Sequence, residues 1–475
     1  MNSRLASVFG VLFGVFLGLT LLKFGNPPIM ERYVTPPTNI YEFLLDSPWP
    51  ISWAYRLLGA LAILGLVLVI REDRRLITIP KWLLLLPLIW LACQIVAAAA
   101  TVDEALSWAT LKHLAACISC YYLGLFALSR LKKLALFWIG LLCAFVLVIA
   151  IGWQQHFGGL QATREFFFRE IYPQLKEVPP EYLKKLSSNR IFSTLFYPNS
   201  LAGALLLMLP ISVAVIGNAR ELLTLPARAF LAGLVALSSL GCLFWSGSKG
   251  GWLLMLVLGS LALFRLPFQK STKLTLIAGL SVLGLAGFLW KYAGFFEKGA
   301  TSVSARVDYW HAAVQVARTH PLLGTGPGTF AIPYKQLKRP ESEMTRLVHN
   351  DYLQQASDSG WPGFLAYLTF ILGSLCFCGT AVVTALNLTK TDKQIGRAWI
   401  SFSIWLGVLG WSLQSLFDFG LYIPALAWPA FTFLGLLIGH SSRIQSTNPI
   451  AEPNVSARHE NPVPQRPKSQ PARRT

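Results

Sequence analysis

The sequence predicts an all-α polytopic membrane protein of about twelve transmembrane helices with one large loop outside the bilayer. Three observations lead there. Only 13% of the 475 residues are charged, where a soluble chain of this size carries roughly a quarter. Hydrophobic residues make up 54%, and the mean hydropathy is +0.52. Apolar runs of about 18 to 25 residues, the length a bilayer-spanning helix requires, recur from one end to the other.

The runs fall at 5–22, 52–70, 82–100, 110–128, 134–152, 200–217, 229–245, 250–264, 274–291, 360–385, 398–416 and 421–439. Arg4 precedes the first, and no small-residue cleavage site follows it, so it reads as a retained span and not a signal peptide. The eighth is short, and part of "SGSKGG" is expected to extend it.

Lysine and arginine in the short loops set the orientation. With the N-terminus inside, the inner loops are "REDRRLITIPK", "SRLKK", "NARELLTLPAR", "RLPFQKSTK" and "LTKTDKQIGR", all basic. The matching outer connections include the acidic "TVDEALSWA" and the minimal "SGSK" and "FDFG". Both termini are therefore expected in the cytoplasm.

The chain then divides into helices 1–5 over residues 1–153, an outer loop at 154–199, helices 6–9 over 200–291, a large outer loop at 292–359, helices 10–12 over 360–440 and a tail at 441–475. Loops this long are usually functional or disordered. "REFFFREIYPQL" and "VDYWHAAVQVARTH" have the pattern of helices lying at the interface. In the second, Val307, Trp310, Val314 and Ala317 are expected to form the apolar face. The tail, rich in Pro, Arg, Ser and Asn, reads as disordered.

Composition excludes some functions. The formal charge of +19 does not form a nucleic-acid stripe, because the basic residues punctuate the apolar runs. The seven cysteines lie in or beside the runs, where a thiol behaves as a small hydrophobe. Cys117 and Cys120 form a CxxC with no other thiolate or imidazole ligand pattern around it, so helix packing is the reading. No internal repeat of the transporter kind is visible, and the spans are nearly free of charge.

The chemistry collects on the outer side in four clusters. Arg190 stands just before the sixth run. Lys249 sits in an outer turn, where the positive-inside rule disfavours lysine, among Gly247, Gly250 and Gly251. Arg306 opens an amphipathic stretch, and its planar guanidinium suits a phosphate group. "GTGPG" at 324–328 lacks the Lys-Ser/Thr ending of a P-loop and reads as a tight turn. In "VHNDYLQQ", His349 has a side chain suited to proton transfer near neutrality, with Asn350 and Asp351 expected to orient it. No second histidine stands at i+3 or i+4, so a metal site is not expected.

In this order, "RIFSTLFYPNSLAGALLLMLP", "SGSKGGWL", "RVDYWHAAVQVARTHPLLGTGPGTF", "HNDYLQQASDSGWPGFLAYL" and "SLFDFGLYIPALAWPAFTFLGLL" resemble the O-antigen ligase and polymerase family of bacterial envelope glycosyltransferases. The likeness runs from Arg190 to Leu437; the first five spans match in hydropathy alone. It implies a type-C glycosyltransferase-like membrane fold in the inner membrane, with the site on the periplasmic side. It also implies an undecaprenyl pyrophosphate-linked glycan donor, lipid A-core or another glycan as acceptor, and no cofactor or metal.

Carried onto this chain, the resemblance makes His349 the catalytic residue and gives Lys249 and Arg306 to the donor pyrophosphate. Arg190, Asn350, Asp351 and Asp418 would support them. Lys249 stands where the family usually has arginine, and Gln414 where many relatives have histidine. The implied reaction inverts the anomeric centre. A polymerase of the same fold is the alternative reading. An O-linked protein oligosaccharyltransferase and, from another class, a transporter also stay open.

Overall fold

The computed structural model describes residues 4–46, 48–71, 79–166, 168–169, 172, 187–297, 301–388 and 391–447. Among these the regular structure is entirely helical. Helices α1 (Arg4–Lys23), α2 (Ile51–Arg71), α3 (Lys81–Ala99), α4 (Glu104–Tyr122) and α5 (Ala135–Gln154) correspond to the first five runs. They are followed by α6 (Pro198–Gly217), α7 (Leu225–Ser246), α8 (Lys249–Arg265) and α9 (Lys270–Glu297). Two helices, α10 (Thr301–Thr319) and α11 (Ala331–Leu337), occupy the large loop. Helices α12 (Asp351–Leu388), α13 (Asp392–Gln414) and α14 (Pro424–Thr447) complete the chain.

All twelve runs are helical, and among the described residues 10 helices are long and apolar enough to cross a membrane. The other two runs fall short for different reasons. Helix α8 has only 17 residues, and α13 is diluted by serine, glycine and tryptophan. Half of the segment 164–175 lies outside the described residues. Of the expected tail, residues 441–447 continue α14, and the remainder also lies outside them.

The core is built around α14, which is almost wholly enclosed and packs on α1, α4, α12 and α13. Where α4 and α14 cross, a Cβ at Gly435 would stand 2.0 Å from the Tyr121 carbonyl oxygen, so only glycine lets these backbones meet. Helix α9 packs mainly on α8 and leaves Val282, Leu283 and Trp290 exposed, as suits a helix bathed in lipid.

Helix α10 keeps part of its expected face: Ala317 is buried and Trp310 and Val314 are half-buried. Tyr309, Ala312, Ala313, Val316 and Ala317 are buried, while Val307 is exposed. The reason is steric. Ala312 and Ala313 carry little bulk, so Phe330, Tyr334 and Val348 cluster against that side.

Helix α12 breaks at Ser359 and Gly360, where the backbone is not helical. The break separates a short helix from the span that follows. The "GTGPG" turn docks on that break: Thr325 N–H donates to Ser357 O and Gly326 N–H to Asp358 O, both at 3.0 Å. Gly324, Gly326 and Gly328 all have positive φ, the conformation that favours glycine. Their loop thus redirects the chain from α10 toward α11, and these backbone donors are already engaged.

Candidate active site

The site is assembled around the segment from Ser415 to Tyr422, which joins α13 to α14 and meets the segments that carry Lys249, Arg306 and His349. Asp351 N–H donates to Ser415 O at 2.8 Å, and Asp351 Oδ2 accepts from Leu421 N–H at 2.7 Å. Arg306 Nε donates to Phe417 O at 2.9 Å. Tyr422 donates its hydroxyl to Asp358 at 2.8 Å. Asp418, buried behind Phe419, faces His349.

His349 directly precedes α12 and adopts φ 55°, a left-handed conformation that costs a non-glycine residue on the order of 1–2 kcal/mol. The backbone on both sides holds it there. Val348 N–H donates to Gln354 Oε1 at 2.8 Å, and the His349 carbonyl accepts from Trp310 Nε1 at 3.4 Å. Asn350 Oδ1 accepts from Tyr352 and Leu353 N–H, each at 3.0 Å, capping the helix. Asn350 and Asp351 therefore spend their side chains on backbone groups, not on the imidazole. They fix the residue's position, while Asp418 is the carboxylate that faces the ring.

The imidazole lies between Tyr309 and Phe419, with ring centroids at 5.8 and 4.7 Å. Its Nδ1 stands 3.5 Å from Asp418 Oδ1, close enough for an ion pair but beyond the reach of a hydrogen bond. The side chain keeps 26% exposure, so the ring remains open to a substrate. Oδ1 of Asp418 also accepts from Phe419 N–H at 3.0 Å.

Three cations converge from different elements. Arg190 donates from Nε to Ser246 O at 2.7 Å and from Nη2 to Asn199 Oδ1 at 2.9 Å. Ser248 caps α8 by accepting from Gly251 N–H at 3.3 Å, which starts the helix at Lys249. Lys249 Nζ rests 3.9 Å from the Phe295 ring centre and 5.0 Å from that of Tyr292. Arg306 reaches Phe417 O, and a Cβ at Gly250 would stand 2.3 Å from the Phe417 ring, so Phe417 ties the two cationic segments together.

The charges feel one another. Burial pulls Lys249 down from 10.5 to about 8, with Arg190 and then Arg306 pushing the same way. Burial also lowers Arg190, against an opposing pull from Tyr292 and Asp418, while Arg306 adds to the lowering. Crowded like charges of this kind favour an anion among them.

The sequence pattern did not single out Tyr309, Phe419, Tyr292 and Phe295, the aromatic walls of the site. It also left Lys291 at the end of a span. That residue projects from α9 onto the Phe244 carbonyl and ring. Its signal was the one that marked Lys249, a lysine at the end of an apolar run. Among the described residues no three His, Cys, Asp or Glu side chains converge as a metal-ligand set. Cys117 is buried with its Sγ 3.7 Å from His113 Nε2, and Cys120 is buried beside it in α4.

Residues 234–368 match the O-antigen ligase family. The match bears out the resemblance read from the motifs, over α7 to the first part of the span after the α12 break. Lys249, Arg306 and His349 fall within it; Arg190, Gln414 and Asp418 lie outside. It supports a membrane enzyme of the glycan ligase or polymerase type, acting with a lipid-linked glycan and an acceptor. No curated protein matches the chain.

Proposed function

We propose that the protein transfers a glycan from an undecaprenyl pyrophosphate carrier to an acceptor hydroxyl at the periplasmic face of the inner membrane, with both termini cytoplasmic. The observation that carries this reading is the imidazole–carboxylate pair of His349 and Asp418 beside the cluster of Arg190, Lys249 and Arg306.

Asp418 facing Nδ1 favours the tautomer with its proton there, which leaves Nε2 as the base. The acceptor hydroxyl gives its proton to Nε2 as its oxygen attacks the anomeric carbon. The bond from that carbon to the phosphate oxygen breaks, and the electron pair leaves with the pyrophosphate. Attack opposite the leaving group inverts the configuration. Charge on the departing diphosphate is met by Lys249, Arg306 and Arg190, so the scheme needs no metal. At about 4 Å and an effective dielectric near 20, one such pair contributes about 4 kcal/mol before desolvation. Confinement of donor and acceptor to one leaflet supplies orientation.

The test is transfer in vitro by the purified protein in nanodiscs, given a carrier-linked glycan with either lipid A-core or a second carrier-linked repeat. Transfer to lipid A-core supports a ligase, and chain extension on the carrier supports a polymerase of the same fold. No transfer to either, with the donor left intact, overturns the reading.

A further inference from the structure

The segment that leads into α6 carries two strained residues. Ser193 and Phe196 take φ 55° and 58°, the left-handed region that a Cβ disfavours. Among the described residues the other non-glycine with positive φ is His349. Strain of this kind persists only where the surroundings over-determine it, and it collects at sites of binding and catalysis. The surroundings here are explicit. Gln155 Oε1 accepts from Phe192 and Ser193 N–H at 3.0 and 2.7 Å, and its Nε2 donates to Ser193 O at 3.0 Å. Thr194 donates its hydroxyl to Leu21 O at 2.7 Å, and Leu195 is wholly buried.

One side chain of the segment is not absorbed by this clamp. Phe196 is 43% exposed, with the Tyr197 ring edge-on to it at 5.0 Å between centroids. Tyr197 in turn meets Phe419 edge-on at 5.4 Å, and Phe419 meets His349 at 4.7 Å. A line of touching rings thus runs from an exposed phenylalanine to the imidazole. The charges of Arg346 and Asp418 both reach Tyr197, so the line stands beside charged groups of the site.

Lipid anchoring does not account for the strain. A ring that only dipped into lipid would work equally well on a relaxed backbone. A fixed aromatic face beside a glycan-transfer site has another use. The face carries the negative part of the ring quadrupole, and the C–H bonds on one side of a pyranose ring direct positive charge onto it. A clamped backbone holds that face at one distance and angle from His349, an alignment that a flexible glycan does not supply for itself.

We propose that Phe196 forms a sugar subsite, its exposed face stacking on a pyranose ring of the glycan beyond the sugar that reacts. The stacked sugar belongs to one of the two chains being joined, the donor glycan or the acceptor. Its role in the reaction rests on the transferase reading of His349.

Transfer kinetics in nanodiscs, with carrier-linked glycan and lipid A-core, test the subsite. Phe196→Gly removes the face and relaxes the backbone, because glycine takes positive φ without steric cost. KM should rise about tenfold for one substrate, with the loss falling on KM rather than kcat. The substrate affected identifies the chain that carries the stacked sugar. Phe196→Tyr should restore KM. Phe196→Leu, which keeps the apolar bulk that a lipid anchor needs, should not. The unfolding midpoint of Phe196→Gly should hold or rise. Both KM values intact in Phe196→Gly, or wild-type behaviour in Phe196→Leu, overturn the proposal. So does a midpoint that falls together with kcat, the mark of a packing residue.

Saturation-transfer NMR separates this claim from the transferase reading, because it needs no turnover. The probes are the glycan released from its carrier and the core oligosaccharide released from lipid A. Sugar C–H signals seen with the wild type and lost in Phe196→Gly uphold the subsite even where no transfer occurs. Equal or absent signals from the two proteins defeat it even where transfer proceeds.

Discussion

Asp418 Oδ1 and His349 Nδ1 stand 3.5 Å apart, although 69 positions separate the residues in the sequence. Asp351, linked to both Ser415 and Leu421, helps to tie the loop before α12 to the loop before α14. If this pair carries the proton transfer, His349→Ala should lower turnover by about 10²–10⁴, the usual contribution of a general base. Asp418→Asn should lower it substantially while leaving donor affinity intact, because the carboxylate orients the base and does not hold the diphosphate. Near-normal transfer by His349→Ala in correctly inserted protein would remove the residue from the mechanism.

Lys249 gives the site a pH dependence of definite sign. In the free site it titrates near 8, pulled down by burial and then by Arg190 and Arg306. A bound diphosphate favours the charged ammonium, so donor affinity is full below about pH 8 and falls as pH rises through that value. Lys249→Arg should hold affinity level across the same range. Lys249→Ala should weaken donor binding by about 10- to 100-fold, the worth of a charged hydrogen bond. Equilibrium binding of the carrier-linked donor against pH checks all three, and an alanine variant of unchanged affinity takes Lys249 out of the site.

The helical membrane architecture was readable from run length because that depends on local composition. Every one of the twelve runs became a helix. The site was readable in part. His349, Lys249 and Arg306 stood out as polar residues beside apolar runs. Asn350 and Asp351 did too, but mere adjacency to His349 could not say that their side chains turn to the backbone. The aromatic walls escaped notice because Tyr309, Phe419 and Tyr292 look like any interfacial aromatics until distant helices meet. The face of α10 was read only in part for a related reason: Val307 is the more apolar residue, yet the small Ala312 and Ala313 pack against Phe330 and Tyr334.

Asp358 holds the frame behind His349. Its Oδ2 accepts from Gly328 N–H and the Tyr422 hydroxyl at 2.8 Å each, and its Oδ1 accepts from Gln354 Nε2 at 2.8 Å. Gln354 in turn holds Val348, next to the catalytic candidate. Asp358→Asn turns an acceptor into a donor among three donors, so a loss on the order of 1–3 kcal/mol in stability is expected. Turnover should fall with it. Thermal unfolding of the purified variant in detergent measures this, and an unchanged midpoint refutes the role.

Gly250 and Gly233 offer a matched pair of substitutions. A Cβ at Gly250 would stand 2.3 Å from the Phe417 ring, while one at Gly233 meets nothing within 4 Å. The ring is rigid and its own carbonyl holds Arg306, so Gly250→Ala must move Phe417 and loosen the cation. Donor affinity should drop, with the protein still inserted. Gly233→Ala lies inside α7, where alanine favours the helix by roughly 0.5–1 kcal/mol, and it should leave transfer unchanged. Binding measurements on both variants decide the point: equal affinities would show that Phe417 does not couple the Lys249 turn to Arg306.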